Sequence, residues 1–205
     1  MKLYYINEIY ESKIIINKSV FICHLIPVES VNEVNDYLAL YRKQYYDATH
    51  NCYAYIIGDK QEIQKCSDDG EPQKTAGAPM MDALKKNNYT NILAIVTRYF
   101  GGILLGAGGL IRAYSESVSE TIKLAKPLIK KELLLCDLPL DYKEYNQLKS
   151  FTYINILDTL FLTNVTVSIA IAKEDKEKLL KDLENLLRVN NISLDFKSEA
   201  KLIEL

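Results

Sequence analysis

At 205 residues, with 48% apolar and 25% charged residues, the chain has the composition of an ordinary globular protein and length enough for one large core or two smaller ones. Its formal charge of −2, with 14 basic against 14 acidic residues up to Ile129, excludes a general nucleic-acid coat and confines any polyanion contact to a local patch. No apolar run reaches the ~20 residues needed to cross a bilayer, and the first eight residues lack an apolar stretch with a small-residue cleavage site, so a cytoplasmic protein without membrane attachment is expected.

In chain order, residues 13–16 and 20–28 read as paired strands around an Asn17-Lys18 turn. Ser30 and Glu33 form a capping box, and Val31, Val34, Leu38 and Tyr41 follow at helical spacing. Strands are expected over 51–57 and 62–66, joined by Gly58-Asp59. Pro79 suits the first turn of a short helix ending near Asn87-Asn88. Residues 91–97 are β-branched and apolar, the pattern of a buried strand. A helix then begins near Gly109, lines up Leu110, Ile111, Tyr114, Val118, Ile122 and Ala125, and ends before Pro127. Seven of the eight glycines lie between Gly70 and Gly109 and none follows, so the demanding turns belong to the first part.

After a short linker at 126–131 the pattern simplifies. A strand over 132–140 leads to a helix capped by Asp141 and Glu144 and running to about Tyr153. Strands over 155–162 and 165–172 follow, then a helix over 174–189 with Leu179, Leu183, Leu186 and Leu187 inward. Strands over 192–196 and 201–204 close the sheet. This βαββαβ order predicts a ferredoxin-like α+β sandwich for residues 129–205, behind a first domain over 1–128.

Cys23, Cys52, Cys66 and Cys136 form no CxxC pair, and free, largely buried thiols are expected. Three segments carry local costs that need explaining. In Ser67-Asp68-Asp69-Gly70-Glu71-Pro72, three carboxylates in four positions repel unless a cation, an arginine or helix amides offset them. The spacing is not that of a calcium loop. In the second, Thr97-Arg98-Tyr99-Phe100-Gly101-Gly102 runs into Gly106-Ala107-Gly108-Gly109-Leu110-Ile111-Arg112, a strand feeding a glycine-rich turn and then a helix. Such a helix start presents unsatisfied N–H groups, a seat for an anion, and Arg112 in the first turn makes sense with an anion or carboxylate opposite. Alternatively the glycines only permit tight packing while Arg98 and Arg112 hold Asp68, Asp69 or Glu71. The spacing fits neither a dinucleotide fingerprint nor a P-loop. The third segment, Asp47 to Tyr55, places His50 and Cys52 on one strand face. A zinc site with Cys23 and His24 is disfavoured, since adjacent strand residues point apart, and the preferred reading is a half-buried strand with a hydrogen-bonded His50.

These segments together resemble the IMPACT family, in its bacterial YigZ-like branch. The matching residues are Asp47-Ala48-Thr49-His50-Asn51-Cys52-Tyr53-Ala54-Tyr55, Ser67 to Pro72 with Thr75-Ala76-Gly77 and Pro79, and Val96 to Gly102 through Leu105 to Tyr114. The resemblance is strong from Lys18 to about Ala125. One departure is Gln73-Lys74, where family members usually carry a glycine before the threonine. The resemblance implies a first domain of the ribosomal-protein-S5-domain-2-like fold and a second similar to domain V of elongation factor G. It also implies a link to translation, since eukaryotic members regulate translation through protein partners.

Three functions therefore stay open. The first is a noncatalytic binding protein linked to translation, contacting RNA or a ribosome-associated partner. It would use the amides from Gly106 through Gly108 to Gly109 with Arg98 and Arg112, and Tyr99 would stack on a base. The second is an enzyme in which Asp68, Asp69 and Glu71 act as acid/base groups or hold a divalent ion near a phosphate-bearing substrate. The third is a protein-interaction regulator, favoured if the surface is apolar rather than basic. Thr75 joins the candidate binding residues through the matched motif. No catalytic residue, metal ligand or cofactor is assigned.

Overall fold

Two β-branched runs joined by Asn17 and Lys18 make the first hairpin of the structure, a computed structural model describing residues 2–204. In it β1 (Tyr10–Ile16) pairs antiparallel with β2 (Ser19–Pro27). Both turn residues have positive φ, 46° and 64°, which gives a two-residue turn the twist that the strands need. The strand starts three residues earlier than the β-branched run alone indicates. Ser30 caps α1 (Val31–Gln44) by accepting the Glu33 N–H. The return bond of the expected capping box is shifted, because the Glu33 carboxylate accepts from the Glu29 N–H.

The chain then lays down β3 (His50–Ile57), β4 (Ile63–Ser67), α2 (Gly77–Lys86), β5 (Ile92–Tyr99) and α3 (Gly106–Leu124). The five strands form one antiparallel sheet in the order β1-β2-β5-β3-β4. Central β5 is buried on both faces, which its continuous apolar run requires. Ile92, Ala94 and Val96 face a core shared with α2 and α3, while Leu93 and Ile95 face Val34, Leu38 and Tyr41 of α1. Fully burying each of the larger side chains contributes ~1.5–3 kcal/mol. His24 lies on the α1 side against Tyr41 and Tyr45, and its buried imidazole is held below the usual histidine range by desolvation, with Glu11 opposing. Cys23 lies on the other face, as the strand alternation required.

Contacts divide the chain into two compact units, the first ending at Ile129 and the second running from Lys130 to Ile203. The second consists of β6 (Leu128–Leu140), α4 (Tyr142–Leu148), β7 (Ile154–Phe161), β8 (Val165–Ala172), α5 (Lys176–Leu187) and β9 (Lys197–Glu204), with β6 beginning just inside the first. Its sheet order is β7-β8-β6-β9, and Leu148, Leu179 and Leu183 of the two helices are buried against Leu138, Val167 and Ile169. Asp141 and Glu144 make the full capping box of α4. Both units are α+β, and the second has the expected βαββαβ order.

Three expectations shift here. The helix after Asp141 ends at Leu148 rather than near Tyr153, because Ser150 and Phe151 turn back onto the Gln147 and Leu148 carbonyls. Residues 192–196 join no strand, although Ile192, Leu194 and Phe196 pack against the core. The first unit's last helix begins at Gly106 rather than Gly109 and ends at Leu124. No helix among the described residues is long and apolar enough to cross a membrane.

Candidate functional site

Antiparallel pairing of β3 with β5 sets His50 opposite Arg98 and Asn51 opposite Thr97. The Thr97 hydroxyl donates to Asn51 Oδ1 at 2.8 Å, locking this end of the ladder from inside. Beyond β4, the acidic turn folds over His50. His50 Nδ1 lies 2.8 Å from the Asp69 carbonyl. A carbonyl only accepts, so Nδ1 carries hydrogen and Nε2 is left toward Glu71 Oε2, 3.8 Å away. His50 is thus the half-buried, hydrogen-bonded strand residue read from the sequence.

The three carboxylates do not converge. Asp68 accepts backbone N–H groups of Lys74 (2.8 Å), Ala76 (3.0 Å) and Gly77 (2.8 Å), capping α2 from a distance where Ala76 has no side-chain oxygen to offer. Asp69 accepts from the Asn51 N–H at 2.7 Å and meets Arg42 Nη2 of α1 at 3.4 Å, an exposed pair of small worth. Glu71 is buried, and its Oε1 accepts from Arg98 Nη1 at 2.6 Å and from the Tyr114 hydroxyl at 2.7 Å. Cys52 Sγ lies 3.3 Å from the Tyr114 oxygen. Burial pushes both the Cys52 thiol and the Tyr114 hydroxyl well above their ordinary ranges, so both stay protonated, and Cys52 is no thiolate nucleophile. No group of three His, Cys, Asp or Glu side chains among the described residues is arranged to hold a metal ion.

Arg98 is only 5% exposed. Its guanidinium lies between the Phe21 ring (5.4 Å) and the Phe100 ring (5.6 Å). The loop after β5 then turns sharply. A Cβ at Gly101 would fall 2.0 Å from the Lys18 backbone, so only glycine passes there. Gly106 opens α3 with φ of +67°.

Together these elements enclose a cleft of about 380 Å³. Glu71, Arg98, His50 and Thr49 form its floor; Pro72, Phe100, Leu104, Leu105, Ala107 and Leu110 supply apolar walls, with Gly70 and Gly106 at the edges. Of the residues singled out in the sequence, Glu71, Arg98 and Gly106 therefore meet. Asp68, Asp69, Thr75, Tyr99, Gly108, Gly109 and Arg112 do not line the cleft. Thr75 is buried with its hydroxyl donating to the Pro72 carbonyl, and the Tyr99 hydroxyl donates to Asp47. Because α3 starts at Gly106, Arg112 lies in the second turn rather than the first, exposed and without an ion pair among the described residues, so the carboxylate expected opposite it is not there. The apolar wall escaped sequence reading, although Ile103-Leu104-Leu105 amid turn glycines was its signal.

Lys74 explains the departure at the acidic turn. It sits at φ of +64°, the left-handed region that favours glycine. Lys74→Gly is expected to raise the first unit's stability by about 0.5–1 kcal/mol, measured by urea denaturation. A loss of stability would show the lysine side chain to be holding the turn.

The Impact N-terminal domain model matches residues 17–122. The chain is 48% identical over 137 residues to the IMPACT family member YvyE of Bacillus subtilis, covering 67% of this chain and 63% of that one. It is 36% identical over 173 residues to an IMPACT family member of Haemophilus influenzae, covering 82% and 84%. Among solved structures, the crystal structure of a hypothetical protein superposes with a TM-score of 0.62 at 28% identity, over 96% of this chain and 97% of the other.

Proposed function

The chain belongs to the IMPACT family, and from that premise we propose that it is a noncatalytic binding protein linked to translation, which engages a protein partner in the cytoplasm through the loop between β5 and α3. The observation that carries this reading is the apolar surface of that loop. Leu104 is 86% exposed, Phe100 46% and Ile103 43%; Phe100 and Leu104 line the cleft, and Ile103 precedes Leu104 in the same loop. Scattered apolar residues on a surface mean little, but a cluster rimming a concave site is the composition of an interface centre. Arg98, by contrast, is buried and paired with Glu71, which removes it from any role as an open phosphate contact.

Leu104→Glu tests this. Leu104 makes little use of the core, so thermal unfolding should stay unchanged, while cosedimentation of the full chain with ribosomal particles through a sucrose cushion should drop at least ten-fold. Undiminished cosedimentation would sink the reading. A second reading, contact with structured RNA, is favoured by Arg112, exposed one turn into α3. It requires a filter-binding salt slope that falls by about one when Arg112 becomes alanine.

A further inference from the structure

We propose that the second unit's sheet, on the face turned away from α4 and α5, docks a basic amphipathic helix of a partner protein. The surface belongs to the second unit alone and goes beyond the loop between β5 and α3.

Strand alternation gives this sheet two unlike faces. Leu134, Cys136 and Leu138 of β6 and Val167 and Ile169 of β8 belong to the core with Leu148, Leu179 and Leu183 of the two helices. The side chains between them point the other way. Register sets those in rows across the sheet. Leu160 of β7, Thr166 of β8 and Pro139 of β6 make one row, and Asp158, Ser168 and Asp137 make the next. Leu135 lies opposite Ala170 in the row beyond. A bulge between Ile156 and Asp158 makes Leu157 the extra residue of β7, and it lines a trough of about 680 Å³ with Leu135, Asp137, Pro139 and Ser168. Leu157 is 49% exposed and Leu160 55%. Apolar side chains therefore flank an acidic row, a surface that a sheet normally buries under a second layer.

Charge decides the chemistry of that layer. Within these rows and the trough, Asp137, Asp158 and Asp195 stand against Lys197, and none of the four is in an ion pair among the described residues. The Ser168 hydroxyl donates to Asp137 Oδ1 at 2.5 Å, which leaves Oδ2 open. Such a face repels nucleic acid and anionic lipid and attracts a cationic segment. Ladder bonds lie in the plane of the sheet, so an extended peptide laid on the face gains no backbone pairing there. A helix needs none. From β7 to β6 is two strand spacings, ~9–10 Å, close to the ~10–12 Å width of a helix with its side chains.

The test is fluorescence anisotropy of the full chain with labelled helical peptides whose leucine stripe is interrupted at its centre by two lysines or by two glutamates, the other polar positions being glutamine. The lysine peptide should bind at least ten-fold tighter. Asp137→Lys with Asp195→Lys should invert the preference. Asp36→Lys with Glu116→Lys, at two exposed sites of the first unit, changes the net charge equally and should leave the preference intact. Equal affinities, no measurable binding of either peptide, a preference that survives the Asp137 and Asp195 reversal, or one that falls as far with the first-unit pair overturns the inference. Should circular dichroism show the double reversal unfolded, Asp195→Lys alone carries the test, since Asp195 lies outside the ladder. The ratio of affinities should then fall at least three-fold, and an unchanged ratio overturns the inference.

Discussion

Replacing Glu71 by alanine is expected to destabilise the first unit by about 3–5 kcal/mol, as measured by urea denaturation with amide exchange of β5 as the reporter. The carboxylate is the sole acidic partner of buried Arg98 among the described residues and also accepts from Tyr114. Its removal strands a buried cation at the cleft floor and leaves a buried hydroxyl without its acceptor. An intact buried ion pair adds little net stability, because desolvation offsets the attraction. The loss of one member is what hurts. The double variant Glu71→Ala with Arg98→Met should therefore recover most of the deficit. A single-variant loss under 1 kcal/mol would mean that water reaches Arg98 and that the cleft floor is wetter than its burial indicates.

The second large effect is at Asp68. Its two oxygens take three backbone N–H groups, two of them at the start of α2, and alanine would leave all three without acceptors. A loss of about 3 kcal/mol is expected, since a single helix cap is typically worth ~1 kcal/mol and this carboxylate serves a turn besides. Asp68→Asn keeps one acceptor oxygen but gives up the charge at the helix start, and should fall between the two. If asparagine proves as damaging as alanine, the charge rather than the hydrogen bonds holds the turn.

The contrast between Asp68 and Glu71 shows what the sequence made legible and what it did not. Three carboxylates within four positions announced that something must offset them, and Arg98 was a visible candidate. Which acid met which donor depended on long-range placement. Arg42 reaches Asp69 only because α1 packs against the sheet, and Tyr114 reaches Glu71 only because α3 packs against β1 and β2 on the other face. Likewise, strand and helix types followed periodicity well: β5 is buried on both faces, and α3 buries Leu110, Tyr114 and Val118 of the expected stripe, although Ile111 is exposed and Ala113, Ser117 and Thr121 take inner positions instead. Boundaries failed where packing outweighs local preference. Gly106, Gly108 and Gly109 disfavour a helix locally, yet Leu110, Ala113 and Tyr114 are anchored in the core and carry the helix back through them. Residues 192–196 alternate like a strand because Ile192, Leu194 and Phe196 dip into the second core. Alternation reports burial; it does not guarantee a ladder partner.

The register of Arg98 against His50 has a kinetic consequence. The base of the cleft is part of a β-ladder, and the guanidinium is clamped by two rings and a carboxylate. Its rotamer entropy was surrendered when the chain folded, so a guest has little left to immobilise there. Such a socket admits different guests at similar speed and differs in how long it keeps them. Residence time, governed by the exposed leucine and phenylalanine at the mouth, is where one guest would be told from another.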